Sequence, residues 1–301
     1  MIITDFSKIV YASVYVMKDD IKKSSPEEIE NILRHMAINS CLTIKKRFQS
    51  QYGELVIALD GKNNFRYGIH PNYKFKRKEN RDKDDLPWHI IKNCMDKIKE
   101  EAKVYWPWKV VWSERAEADD VMVVLTEEVA NKNIVENGLL DEIEAEPVLI
   151  DTRDQDLFFL QKYPNVTQYD SRDRKVIKLD ENYDTWIKEF IIKGDPQSDS
   201  VPNVFSDLNC MADGIKQTAA IKSRMAPILA HKNIFDYNDD PKIAKRIREN
   251  YQLVIFDGMP IDVRDEIMES WKNAKKASKM VMMKYLIEKK CKNLLEHLEE
   301  M

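Results

Sequence analysis

Short apolar runs alternate with longer stretches of helical periodicity along the first part of this chain. Met1 to Thr4, Leu55 to Leu59 and Val148 to Ile150 are brief, β-branched and followed by polar residues. That pattern marks strands buried on both faces of a parallel sheet. Val110-Val111-Trp112 reads as a fourth. Between them, Glu27 to Phe48 carries Ile29, Ile32, Leu33, Met36 and Ile38 at helical spacing, with Pro26 at its start as a good first-turn residue. Trp88 to Ala102 and Ala116 to Asn131 read the same way. Strand and helix in alternation predict an α/β fold with a mostly parallel sheet flanked by helices.

Beyond about Tyr183 the pattern becomes helical. Helices are predicted over Thr185 to Ile192, Gly214 to Lys222 and Lys242 to Asn250, the last started by Asp239-Asp240-Pro241, and one long helix from Val263 to Glu300. Leu253 to Phe256 is a strand-like run able to return to the sheet. The expected organisation is an α/β domain over residues 1–184 and a helical region over 185–301.

Composition narrows the function. The chain has 301 residues, enough for one large domain or two coupled subdomains, and 43% of them are hydrophobic. Only 7 glycines occur and none form a run, so no phosphate-cradling Gly-rich loop is expected. No apolar run approaches the ~20 residues of a membrane span, and the first residues lack a signal-peptide pattern. The four cysteines are scattered without a CxxC pair, which speaks against a zinc site or a disulfide framework and fits the cytoplasm. The net charge of −4 argues weakly against nucleic acid, but it hides an asymmetry. Between Lys62 and Lys83 stand eight basic residues against two acidic ones, interleaved with Phe65, Tyr67, Tyr73 and Phe75. Cations suit phosphates and aromatic faces suit unpaired bases.

The acids cluster elsewhere, at strand ends. Asp5 ends the first run and Asp60 follows the second. Val110 to Trp112 leads to Glu117, Asp119 and Asp120, and Val148 to Ile150 leads to Asp151, Asp154 and Asp156. Asp195 and Asp199 follow Gly194. One Asp after a strand is usually a turn residue or helix cap. Parallel topology, however, brings the strand ends to one edge, where several carboxylates repel unless cations are bound. Oxygen ligands without His or Cys point to Mg²⁺, with Mn²⁺ able to substitute. Two such ions suit phosphodiester displacement.

In this order, the motifs resemble the 5′-nuclease superfamily of flap endonucleases and 5′-3′ exonucleases, nearest its phage ribonuclease H branch. They are Asp5-Phe6-Ser7; Asp60 with Tyr73-Lys74 and Asn80-Arg81; Glu117-Ala118-Asp119-Asp120; Asp154-Gln155-Asp156; and Gly194-Asp195 to Asp199-Ser200-Val201-Pro202-Asn203-Val204. Gln161 to Val166 and Leu253 to Asp257 share the likeness. The resemblance implies a PIN-like sheet, a basic arch over about residues 62–90 and two Mg²⁺ ions. It also implies a helix–turn–helix element in the C-terminal region that grips duplex DNA.

Carried over residue by residue, the metal ligands are Asp5, Asp60, Glu117, Asp119, Asp154, Asp156 and Asp199. The first four serve mainly one ion, Asp154 bridges, and Asp156 and Asp199 lean to the second. Lys74 and Arg66 are the catalytic cations on the scissile phosphate. Lys62, Tyr73, Lys76, Arg77, Lys78, Arg81, Gly194 and Ser200 are the nucleic-acid contacts. Asp195 stands four residues before Asp199, where the family usually has three, and is therefore left out of the ligand set. The implied activity is removal of RNA primers or flaps during DNA replication, acting as a monomer on duplex DNA or RNA–DNA hybrid with a 5′ end. A replication single-strand-binding protein and a sliding clamp are the partners such a role implies, and no membrane is involved. A non-catalytic junction-binding protein of the same fold is the alternative.

Overall fold

Each of the four apolar runs forms a strand: β1 (Ile2–Asp5), β2 (Leu55–Leu59), β3 (Lys109–Trp112) and β4 (Val148–Asp151). Two more, β5 (Val166–Asp170) and β6 (Lys175–Ile177), extend the sheet in the order β3-β2-β1-β4-β5-β6. All neighbours pair in parallel except β6, which runs antiparallel to β5. The computed structural model describes residues 1–136, 146–178 and 183–301, except the side chains of 131–136.

The pleat divides the core. Ile2, Leu55, Ile57 and Val110 face one side, against helices Phe6–Val16, Pro26–Tyr52 and Trp88–Tyr105. Ile3, Val56, Ala58, Val111 and Ile150 face the other, against helices Ala118–Glu136 and Ile261–Asn273. With both faces covered, the strands have no polar alternation, which is why they read as continuous apolar runs. A third cluster packs helices Tyr183–Lys193, Lys222–Leu229 and Pro241–Val254 around Ile192, Val201, Ile247 and Leu253. Buried Tyr73, from the basic segment, joins this third cluster. Helix starts follow local chemistry. Ser25 and Glu28 form a capping box ahead of Pro26, and Asp240 accepts from the Lys242 and Ile243 amides ahead of Pro241.

Three predicted elements are corrected. Residues 214–221 are not helical, because the Asn203 side chain bonds Gln217 and the Thr218 carbonyl and holds the chain extended; the helix begins at Lys222. Leu253 to Phe256 is no strand. Leu253 and Val254 close helix Pro241–Val254, where burial on all sides imitates the apolar run of a strand. The single long helix from Val263 is three pieces: Ile261–Asn273, Lys279–Glu288 and a 3₁₀ segment, Lys292–Glu300. The first break follows Ala274, and the Ala277 amide bonds the Trp106 carbonyl at 3.0 Å. The second is a Schellman turn: the Cys291 amide reaches Leu286 O at 2.8 Å and the Lys290 amide reaches Ile287 O at 3.1 Å. Its left-handed residue is Lys290, with φ 57°, not glycine. Among the described residues no helix is long and apolar enough to cross a membrane.

Candidate metal centre

Parallel pairing sets the carboxyl ends of β1, β2, β3 and β4 along one edge. Asp5 ends β1 and caps helix Phe6–Val16, accepting from the Ser7 amide at 2.7 Å. Asp60 follows β2. Its Oδ1 accepts from the Ala118 amide at 3.0 Å and its Oδ2 from the Ser7 hydroxyl. The loops after β2 and β3 are laced together. The amides of Gly61, Asn63 and Phe65 donate to the carbonyls of Ala116, Glu114 and Arg115 at 2.8, 2.8 and 3.0 Å. A Cβ on Gly61 would lie 2.1 Å from Ser113 O, so only glycine permits this approach. The lacing carries Asp60 to the start of helix Ala118–Glu136, beside Glu117 and Asp119.

After β4, Asp151 turns away. It is held by the Thr4 hydroxyl at 2.9 Å and Lys8 Nζ at 3.0 Å. Asp154 caps the 3₁₀ segment Gln155–Lys162 and accepts from the Asp156 amide at 3.2 Å, leaving Asp156 buried beneath it. The last acids come from the Gly194 loop. Gly194 has φ 65°, and a Cβ there would meet Val201 O at 2.5 Å. The loop closes through the Val201 amide on Asp195 O at 2.9 Å. It delivers Asp195 and Asp199 to Asp156, and the three carboxylates each offer an oxygen within 4.8 Å of the others. Among the described residues this is the one acidic group so tightly gathered.

Charge links the rest. Burial and then Asp60 push Asp5 up from 3.8 to about 7. Burial and then Asp154, Asp5 and Glu117 hold Asp119 well above the usual carboxylate range. Burial and then Asp154, Asp199, Asp195 and Asp119 do the same to Asp156. Each acid thus feels the next, from Asp60 through Asp5, Asp119 and Asp154 to Asp156. Glu117 behaves oppositely. Burial raises it, but Lys74 and Arg66 outweigh burial and bring it to about 2.

The basic segment lies over this row. Lys74, at φ 60°, donates its amide to Asp199 O at 2.8 Å. Its Nζ is 2.5 Å from Glu117 Oε1 and 3.7 Å from Asp199 Oδ1. Arg77 reaches Asp199 Oδ1 at 2.7 Å.

Residues 1–187 match the family model described as the 5′-3′ exonuclease, N-terminal resolvase-like domain. The chain belongs to the 5′-3′ exonuclease family. It is 24% identical to the ribonuclease H of Enterobacteria phage T4 over 98% of this chain and 94% of that one. Its fold is similar to that of the phage T5 flap endonuclease, at 14% identity. A structure of the T5 protein co-crystallized with metal ions has a TM-score of 0.57, covering 90% of this chain and 97% of that one. A pseudo-enzyme–product complex of the T5 enzyme with DNA and metal ions gives 0.58 at the same coverage. This chain is therefore a nuclease of the 5′-nuclease superfamily, with the mostly parallel, helix-flanked sheet that the resemblance implied.

In this 5′-nuclease several of the expected contact residues have partners within the protein. Arg66 is enclosed: its guanidinium is 0% exposed and grips Asp120 in a fork at 2.7 and 2.8 Å. Tyr73 is not free to stack on a base. It is buried, with its hydroxyl 2.8 Å from Asp199 Oδ2 and 3.1 Å from Glu117 Oε2. Ser200 is buried and accepts from the Lys76 amide at 3.1 Å, and the Gly194 amide is spent on Phe190 O at 2.9 Å. Lys62 and Lys78 are exposed. Lys76 Nζ bonds Pro196 O, and Arg81 lies over the Tyr11 and Trp88 rings.

The sequence reading omitted Asp195, which completes the tight cluster, and the Ser7 hydroxyl on Asp60. Adjacency to Asp199 and Asp5 was the available signal for each. Asp120, three residues after Glu117, points to Arg66 while Asp119 faces the acids.

Proposed function

We propose that this chain is a Mg²⁺-dependent 5′-nuclease that removes 5′ flaps and RNA primers during DNA replication. The observation that carries the reading is the buried row of carboxylates capped by Lys74 and Arg77. Acids held well above their ordinary range by burial and then by one another form a site short of positive charge. An all-oxygen donor set without His or Cys fits hard divalent ions. Asp156, Asp195 and Asp199 would hold one ion. Asp5, Asp60, Asp119 and Glu117 would hold the other, with Asp154 between them. Divalent ions bound there supply Lewis-acid chemistry for in-line phosphodiester displacement.

The protein's own groups do the remaining work. Lys74, from the arch over residues 62–90, stands at the rim between Glu117 and Asp199. From there it stabilises charge developing on a phosphate oxygen. Lys62, Lys76, Lys78 and Arg81 steer the flanking phosphates. The Asp195–Asp199 loop belongs to a helical region, residues 185–301, that grips duplex through a helix–turn–helix element, while residues 1–184 form the nuclease domain. DNA bound to the T5 relative and the ribonuclease H name of the T4 relative support a substrate with a 5′ end on duplex DNA or RNA–DNA hybrid.

A 5′-labelled flap and a nicked RNA–DNA hybrid, incubated with and without Mg²⁺, test this. Product is expected only with Mg²⁺. Asp119→Asn and Asp154→Asn are expected to bind substrate but not cut it. Full cleavage by both variants contradicts the metal assignment. Binding by the unaltered protein without product in Mg²⁺ identifies a junction-binding protein instead.

A further inference from the structure

Arg66 is the most completely enclosed cation in the site, and it makes no contact with the tight Asp156–Asp195–Asp199 cluster. Its guanidinium lies between two rings, 4.5 Å from the Phe65 centroid and 4.6 Å from that of Phe256. The fork to Asp120 fixes its plane, and Nε donates to the Leu253 carbonyl at 3.3 Å. Asp120, also 0% exposed, accepts the Glu117 amide at 2.8 Å on the oxygen that takes one prong of the fork. Arg66 NH1 is also 3.8 Å from Glu117 Oε2. Three pieces of chain therefore meet on one cation: the base of the arch, Glu117 with the start of helix Ala118–Glu136, and the end of helix Pro241–Val254.

We infer that Arg66 and Asp120 form a positioning clasp that fixes Glu117 and Asp119 for metal binding, and that Arg66 is not a phosphate ligand. The inference rests on the metal reading above. A fork between two fully buried partners holds one geometry, and a single-point ammonium cannot reproduce it. Outer partners of metal ligands commonly set metal affinity by about 10–100-fold.

The test uses the full chain with Arg66→Lys and, because that variant could lose its fold, Asp120→Asn. Asparagine keeps an oxygen for the Glu117 amide but not the charge. Calorimetry measures Mg²⁺ binding without substrate, flap binding is measured in EDTA, and steady-state kinetics gives kcat and KM. For Arg66→Lys, Mg²⁺ affinity is expected to fall about 10-fold or more. Its flap affinity and KM at saturating Mg²⁺ stay within about twofold, while kcat drops. Asp120→Asn is expected to move the same quantities in the same direction by less. Unchanged Mg²⁺ affinity in a folded variant overturns the clasp, whether or not flap affinity falls, and a fall in flap affinity alone returns Arg66 to the phosphate. Absence of Mg²⁺ binding by the unaltered protein removes the metal reading itself.

Discussion

Replacing Asp5 with Asn is expected to stabilise the metal-free protein at neutral pH while weakening its response to Mg²⁺. Asp5 caps helix Phe6–Val16 through the Ser7 amide, and asparagine caps as well as aspartate, so the substitution removes charge and little else. Burial and Asp60 lift the Asp5 carboxyl from 3.8 to about 7. Each tenfold change in proton affinity is about 1.4 kcal/mol, so ionised Asp5 costs the folded state up to about 4 kcal/mol. Relaxation and coupling to Asp60 reduce this to about 2–4 kcal/mol. The sign follows from linkage. Below pH 3.8 both states hold the proton and the cost is absent. Between 3.8 and about 7 the unfolded chain releases it first, so stability is lost as pH rises; above 7 the loss is constant.

The assay is urea unfolding in EDTA at pH 4, 6 and 8, for the unaltered protein and Asp5→Asn. The variant is expected to match the unaltered protein at pH 4 and exceed it by about 2–4 kcal/mol at pH 8. Saturating Mg²⁺ should raise the unaltered protein more than the variant, because binding to the folded state alone stabilises it. A difference that does not change between pH 4 and 8, or a variant less stable at pH 8, refutes the argument that ionised Asp5 is held at a cost set by burial and Asp60.

Other consequences are as direct. Gly194→Ala places a Cβ 2.5 Å from Val201 O at φ 65°. It is expected to cost about 2 kcal/mol or more, read by thermal unfolding, and to weaken Mg²⁺ binding by displacing Asp195 and Asp199. Lys74→Ala is expected to lower turnover by about 100-fold with little change in substrate affinity, measured under single-turnover conditions. Equal turnover would exclude its rim role. Tyr73→Phe removes the hydroxyl shared by Asp199 and Glu117 and is expected to destabilise by about 1–3 kcal/mol in denaturant melts.

What the sequence disclosed follows from what kind of pattern each feature leaves. Strands β1 to β4 are buried on both faces, so each is an apolar run that needs no knowledge of its partners. β6, at the sheet edge, has Lys175 and Val176 exposed and leaves no such run, and β5 beside it mixes Thr167 and Gln168 with Val166 and Tyr169. The break at Lys290 was hidden because a lysine occupies the left-handed position where glycine would have announced a turn. The acids at strand ends were legible because parallel topology alone gathers them. Roles that depend on where a side chain points were not. Asp119 and Asp120 are adjacent in sequence yet serve the acidic row and the buried arginine respectively. Arg66, in a segment dense with cations, carried no sequence mark of its burial. Asp195 was discounted on spacing, yet the tight turn at Gly194 brings it beside Asp199.

The most direct measurement is a crystal of the full chain soaked in Mn²⁺ and examined by anomalous scattering. The account predicts a peak bounded by Asp156, Asp195 and Asp199, and a second near Asp5, Asp60 and Asp119. Peaks elsewhere, or none with Lys74 and Arg77 still seated on Glu117 and Asp199, would contradict it.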